Sequence, residues 1–139
     1  MRLAITFAII IVISIPITVM AKTKSVEVKG TVLCDGEPVK DGEVELHGER
    51  YATRSDTALA KTKTDAHGRF TIKGSSKADM FDPQFTISHK CRTKLCTRKM
   101  LLRIPEKYST SGPKPREIYD IGVIDVKTKF PTETKTCPT

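Results

Sequence analysis

The chain has 139 residues, four Cys, no Trp, no Asn and a formal net charge of +8. That length holds one domain rather than two. Without Asn, no N-linked glycan can be attached in any compartment.

Residues 1–21 differ from the rest. Arg2 supplies a positive start, an almost wholly apolar run follows to Val12, Pro16 interrupts the stretch, and Val19 and Ala21 stand where a signal peptidase needs small residues. The pattern predicts a secretory signal peptide cleaved near Ala21, and no transmembrane segment after cleavage. The competing reading, an uncleaved membrane anchor, would need about 20 apolar residues without the interruption at Pro16.

No helical period stands out after residue 21. Short alternating runs separated by Gly, Pro and Asp do. Val26, Val28, Gly30 and Val32 alternate with Glu27, Lys29 and Thr31, and Asp35-Gly36 then turns the chain. Residues 43–47 alternate again. A weak Lys- and Thr-rich strand is expected at 59–64, as suits an edge. Asp65-Ala66-His67-Gly68 marks a hairpin, with Asp65 accepting from turn amides, Gly68 at positive φ and Phe70 entering the core. Further strands are expected at 69–73, 85–89, 96–104 and 117–126, with Met100, Leu102 and Ile104 on one side. Residues 130–139 read as a loose C-terminal tail tied only by Cys137. Seven short strands with turn-marked spacing predict an all-β, seven-stranded Greek-key β-sandwich over residues 22–129. A closed five- or six-stranded barrel is the competing all-β architecture.

All four Cys (Cys34, Cys91, Cys96 and Cys137) lie after the leader, and an even count in a small secreted domain implies two disulfides. The Cys91 and Cys96 spacing is loose for zinc, so no metal is expected. If successive strands alternate in direction, the turns after the first, third and fifth strands and the exit from the seventh share one end. All four cysteines then fall at that pole, and any of the three pairings is reachable.

Charge is uneven as well. Six acids and one base occupy residues 35–49, and six bases without an acid (Lys90, Arg92, Lys94, Arg98, Lys99 and Arg103) occupy 90–103. The basic stretch is the candidate surface for an anionic partner such as a phospholipid or acidic glycan; a solvated hairpin face is its plain alternative. Secretion makes nucleic acid an unexpected partner.

His67 falls in a turn and His47 on an outward parity, while His89 shares parity with Phe85 and Ile87 and should point inward. None has a nucleophile or carboxylate in a recognisable local arrangement, so no enzyme activity and no cofactor are expected.

Taken in order, residues 28–38 (Val-Lys-Gly-Thr-Val-Leu-Cys-Asp-Gly-Glu-Pro), Val44-Glu45-Leu46, residues 63–70 (Lys-Thr-Asp-Ala-His-Gly-Arg-Phe), Asp82-Pro83, Ile87-Ser88-His89-Lys90-Cys91 and Ile104-Pro105 before Tyr108 resemble the nematode transthyretin-like family. The resemblance spans about residues 26–126 and implies a secreted, prealbumin-like sandwich of two sheets. Among its members is an extracellular bridge between phosphatidylserine on dying cells and a receptor. The related hydroxyisourate hydrolases end in Tyr-Arg-Gly-Ser and use a His on the N-terminal strand. This chain ends in Lys135-Thr136-Cys137-Pro138-Thr139 and has no His there. The expectation is therefore a non-enzymatic extracellular binding protein facing an extracellular protein, a cell-surface receptor or an anionic lipid or glycan. A carrier of a small apolar ligand is the alternative.

Overall fold

The computed structural model describes residues 6, 8–14, 23–48, 58–77 and 81–139. Arg2, Pro16 and the expected cleavage signal at Val19, Met20 and Ala21 lie outside the described residues. Among the described residues, no helix is long and apolar enough to cross a membrane.

Among the described residues, ten strands follow in chain order: β1 (Lys24–Cys34), β2 (Glu37–Pro38), β3 (Glu43–His47), β4 (Ala60–Lys63), β5 (Arg69–Ser76), β6 (Gln84–His89), β7 (Thr97–Arg103), β8 (Thr110–Ser111), β9 (Ile118–Asp125) and β10 (Glu133–Thr136). The seven expected strands are the seven longer ones among β1 to β9; β2, β8 and β10 are additions of two to four residues. One sheet is built on β1, with β5 antiparallel along one edge, β9 parallel along the other, and β2 and β8 adding two-residue pairs. The second sheet runs β10-β7-β6-β3-β4, antiparallel throughout.

The two-residue period explains how the sheets stack. Successive side chains leave a strand on opposite faces, so every second residue of β1 faces the other sheet. Val26, Val28 and Val32 are fully buried there, as are Val44, Leu46, Phe85, Ile87 and Met100 from the second sheet. Phe70 from the first sheet meets Phe85 from the second with ring centroids 6.2 Å apart. Burying each such side chain contributes about 1.5–3 kcal/mol. Gly30 occupies a core-facing position of β1 but carries no side chain, and Ile121 fills the space. A Cβ on Gly30 would stand 2.3 Å from Ile121 Cγ1. At this point the β1–β9 register slips by one residue, with Lys29 opposite Asp120 but Thr31 opposite Val123. Gly122, at φ +72°, takes up the bulge.

Three sequence expectations need correction. The C-terminal tail is not loose: β10 pairs with β7 through four residues, from Glu133 opposite Met100 to Thr136 opposite Thr97. Its Thr and Lys composition lacks apolar alternation because residues on both of its faces, Thr134, Lys135 and Thr136, are exposed. The strand expected at 69–73 extends through Ser76, because the β1 ladder continues to Lys24 opposite Ser76. His47 has the outward parity assigned to it yet is only 6% exposed. Its ladder neighbour Gln84 is 4% exposed, so this end of the sheet's outer surface is covered across both strands.

Candidate functional site

The turn joining β4 to β5 matches its sequence. Asp65 accepts hydrogen bonds from the amides of His67 (2.8 Å) and Arg69 (2.9 Å), and the Gly68 amide donates to the Asp65 carbonyl. The bonds from Arg69 and His67 hold the Asp65 carboxyl below its ordinary value. Gly68 has φ +76°, and any Cβ there would meet the Val32 carbonyl oxygen at 2.3 Å. The Asp65 carboxylate is spent on the turn's own amides, while the Gly68 carbonyl accepts from the Val32 amide of β1 at 2.7 Å.

The cysteines lie together at one pole, as expected, although Cys137 reaches it through β10, which runs in the same direction as β9. Cys34 ends β1, Cys91 follows β6, Cys96 precedes β7 and Cys137 follows β10. Of the open pairings, the structure has Cys34–Cys91, with a Cα–Cα distance of 5.7 Å, and Cys96–Cys137, at 4.2 Å. The first joins the two sheets. The second fixes β10 to the edge of β7. Together they pin both ends of the β6–β7 loop, residues 90–96.

That loop presents the basic groups. Lys90, Arg92 and Lys94 are exposed, and Leu95 between Lys94 and Cys96 is 71% exposed. Within the loop, the Thr93 amide donates to the Lys90 carbonyl and the Cys96 amide to Thr93 Oγ1. Arg92 sits in the left-handed region at φ 56°, which a long side chain rarely adopts. Its guanidinium lies 3.3 Å from Asp35 Oδ2, while Lys127 Nζ lies 3.4 Å from Asp35 Oδ1. The acidic and basic segments that are far apart in sequence thus meet at one pole. Asp125 locks this junction by accepting from the amides of Lys127, Asp35 and Gly36. Those bonds, Lys127's foremost, hold its carboxyl below the ordinary value.

The six bases predicted as one surface do not form one. Lys90, Arg92 and Lys94 remain together at the pole. Lys99 is half-buried on the outward parity of β7. Arg98 points inward and is 8% exposed. Its guanidinium makes a two-pronged pair with Glu133, with Nη2 to Oε2 at 3.0 Å, and also donates to the Cys91 carbonyl at 3.0 Å. Arg103 lies at the far end of β7, paired with Asp82 at 2.8 Å. The cause is the strand itself. Alternation sends neighbours to opposite faces, and five residues of rise carry Arg103 about 16 Å from Arg98.

Sequence reasoning missed Glu133, which sits opposite β7 only because β10 docks there. Arg98's hydrogen bonds hold Glu133's carboxyl below its ordinary value. His89 is inward and 5% exposed, as its parity predicts, with Nδ1 accepting from the Cys91 amide at 3.1 Å. Burial first, and then the Arg98 charge, lower its pKa from the ordinary 6.5, leaving it neutral at physiological pH. Beside this network a cleft of about 340 Å³ is lined by Arg92, Arg98, Lys129, Glu133 and Lys135. Among the described residues, no group of three or more His, Cys, Asp or Glu is arranged to hold a metal ion.

Comparison with known proteins agrees with this architecture. The chain is 32% identical to transthyretin-like protein 2 of Caenorhabditis elegans over 127 residues, covering 85% of each chain. It is 34% identical to transthyretin-like protein 5 of the same organism over 121 residues, covering 85% of this chain and 87% of that one. Transthyretin-like protein 46 is 32% identical over 129 residues, covering 90% of this chain and 72% of that one. A solved 9R-lipoxygenase from Cyanothece aligns with 74% of this chain and 16% of its own at 21% identity and a TM-score of 0.44, too slight a likeness to bear on function. The model of the transthyretin-like family matches residues 29–105, from the middle of β1 to the end of β7. The chain belongs to the transthyretin-like family.

Proposed function

We propose that the protein is a secreted, non-enzymatic extracellular binding protein that engages an anionic cell-surface partner through the basic side of its cysteine pole. One observation carries the proposal: the β6–β7 loop is pinned at both ends by disulfides and presents Lys90, Arg92 and Lys94 to solvent. Rigid presentation matters because a preorganised loop loses little conformational freedom on binding. Lys90 and Lys94 have no acidic partner among the described residues, so both charges are available. The two disulfides and the family membership agree with an oxidising, extracellular setting. Leu95 gives the loop an apolar tip, which favours a lipid surface over a glycan chain.

The test is binding of the mature protein to anionic vesicles and to heparin across a salt series. Affinity should fall steeply with salt. The double variant Lys90→Glu with Lys94→Glu should weaken binding by at least about tenfold, since each cation near an anionic surface contributes about 1 kcal/mol. Leu95→Asp should weaken vesicle binding and leave heparin binding intact. Unchanged binding in the double Glu variant sinks the proposal.

A further inference from the structure

We infer that the cleft between the β6–β7 loop and the C-terminal segment is a dedicated site for a compact tetrahedral oxyanion, a phosphate or sulfate ester group. It refines the anionic-partner reading and rests on it for the identity of the partner. Four cations line the cleft against one carboxylate. Arg98 is committed to Glu133, and Arg92 leans on Asp35. Lys129 and Lys135 are exposed and have no acidic partner among the described residues.

These charges are held together against their own repulsion. Lys135 stands directly opposite Arg98 in the β7–β10 ladder, and like charges at opposed positions destabilise a strand pair. Lys129 follows β9, Lys135 lies on β10, and Arg92 occupies a left-handed turn position. Two stretches far apart in sequence, the β6–β7 loop and the C-terminal segment, therefore bring cations to one place, and Cys96–Cys137 covalently holds the strand that carries Lys135. A tetrahedral group with three terminal oxygens, as in a phosphate monoester or a sulfate ester, can take bonds from both ammoniums and from the open edge of Arg92. A carboxylate offers two oxygens in one plane, so it cannot give each of the three donors an oxygen of its own. The cleft's lining is wholly charged, which excludes an apolar ligand from this position.

The experiment titrates the oxidised mature protein with inorganic phosphate and with sulfate, followed by amide chemical shifts. Wild type should saturate, with shifts confined to residues 91–98 and 127–136. Lys129→Glu with Lys135→Glu should weaken this by about tenfold or more, while Lys61→Glu, on the opposite edge strand, should not. Vesicles carrying phosphatidic acid, whose headgroup is a phosphate monoester, and heparin then distinguish a lipid phosphate from a sulfated glycan: the favoured source is the one whose binding the double variant loses. Phosphate binding that survives in Lys129→Glu with Lys135→Glu overturns the site, even if loop charge reversal still abolishes vesicle binding. Saturable, Lys129- and Lys135-dependent phosphate binding by a protein that ignores both vesicles and heparin keeps the site and removes the cell-surface reading. Shifts spread evenly over all exposed lysines mean nonspecific ion association and also overturn it.

Discussion

Two hairpin connections sit at the same pole and are built on opposite principles. The β4–β5 turn closes on itself: the Asp65 carboxylate is consumed by the amides of His67 and Arg69, and Gly68 supplies the one conformation that lets the chain reverse. The β6–β7 loop is longer and leans on distant groups. Cys34 holds one end, Cys137 the other, Arg98 grips the Cys91 carbonyl, and Asp35 steadies Arg92. The first spends its carboxylate on its own geometry. The second leaves Lys90, Lys94 and Leu95 facing outward on a rigid frame. A connection that is ordered from outside keeps its side chains free for a partner, and that difference separates a structural turn from a recognition loop.

The largest effect should come from removing the outside support. Replacing Cys34 and Cys91 together with Ser opens a crosslink spanning 57 residues, which should cost about 4 kcal/mol in denaturant unfolding. The same change should raise amide exchange throughout the β6–β7 loop while leaving the β4–β5 turn protected. Equal exchange in both connections would abolish the distinction drawn above.

Next comes the buried ion pair. Arg98→Met leaves the Glu133 carboxylate without its partner in a site where both side chains are under a tenth exposed, so stability should fall by about 3 kcal/mol. Replacing both Arg98 and Glu133 with Met should recover most of the loss. If it does not, the pair stabilises β10 by more than mutual compensation.

Breaking the self-contained turn should cost less. Gly68→Ala forces a side chain into the left-handed region and against the Val32 carbonyl, for about 2 kcal/mol. Exchange should rise at the β4–β5 turn and remain unchanged at residues 90–96.

The smallest effect is pH-dependent. His89 has a lowered pKa in the folded protein, so the unfolded chain takes up its proton first as pH falls below 6.5. Its contribution is present above that value and is lost as pH drops toward the lowered folded value. Glu133, also lowered, loses its contribution further down, as pH falls through the carboxylate range. His89→Gln, which keeps an acceptor for the Cys91 amide, should flatten the stability profile between neutral pH and the onset of carboxylate protonation. An unchanged slope there would assign it to other groups.

The β4–β5 turn was readable because its determinants lie within five residues: a carboxylate, two amides and a glycine. The strand alternation was equally local, and it placed the cysteines at one pole before their pairing was known. The basic surface was not readable from the count of bases between residues 90 and 103. Burial of Arg98 depends on Glu133, which is 35 positions away, and nothing in the Thr- and Lys-rich tail signals a strand. His47 shows the same limit. Its parity was right, but its burial depends on what lies over the sheet.

By itself, the sequence determined the sandwich class, the strand parities of β1, β3, β5 and β6, the Asp65–Gly68 turn and the family, because each rests on periodicity or on contacts within a few residues. Only the tertiary structure decided which cysteines pair, which bases remain free, and that Arg92, Lys129 and Lys135 converge on one cleft. Those outcomes require chain segments tens of residues apart to meet, and the energy that joins them resides in the packing of two sheets rather than in any local pattern.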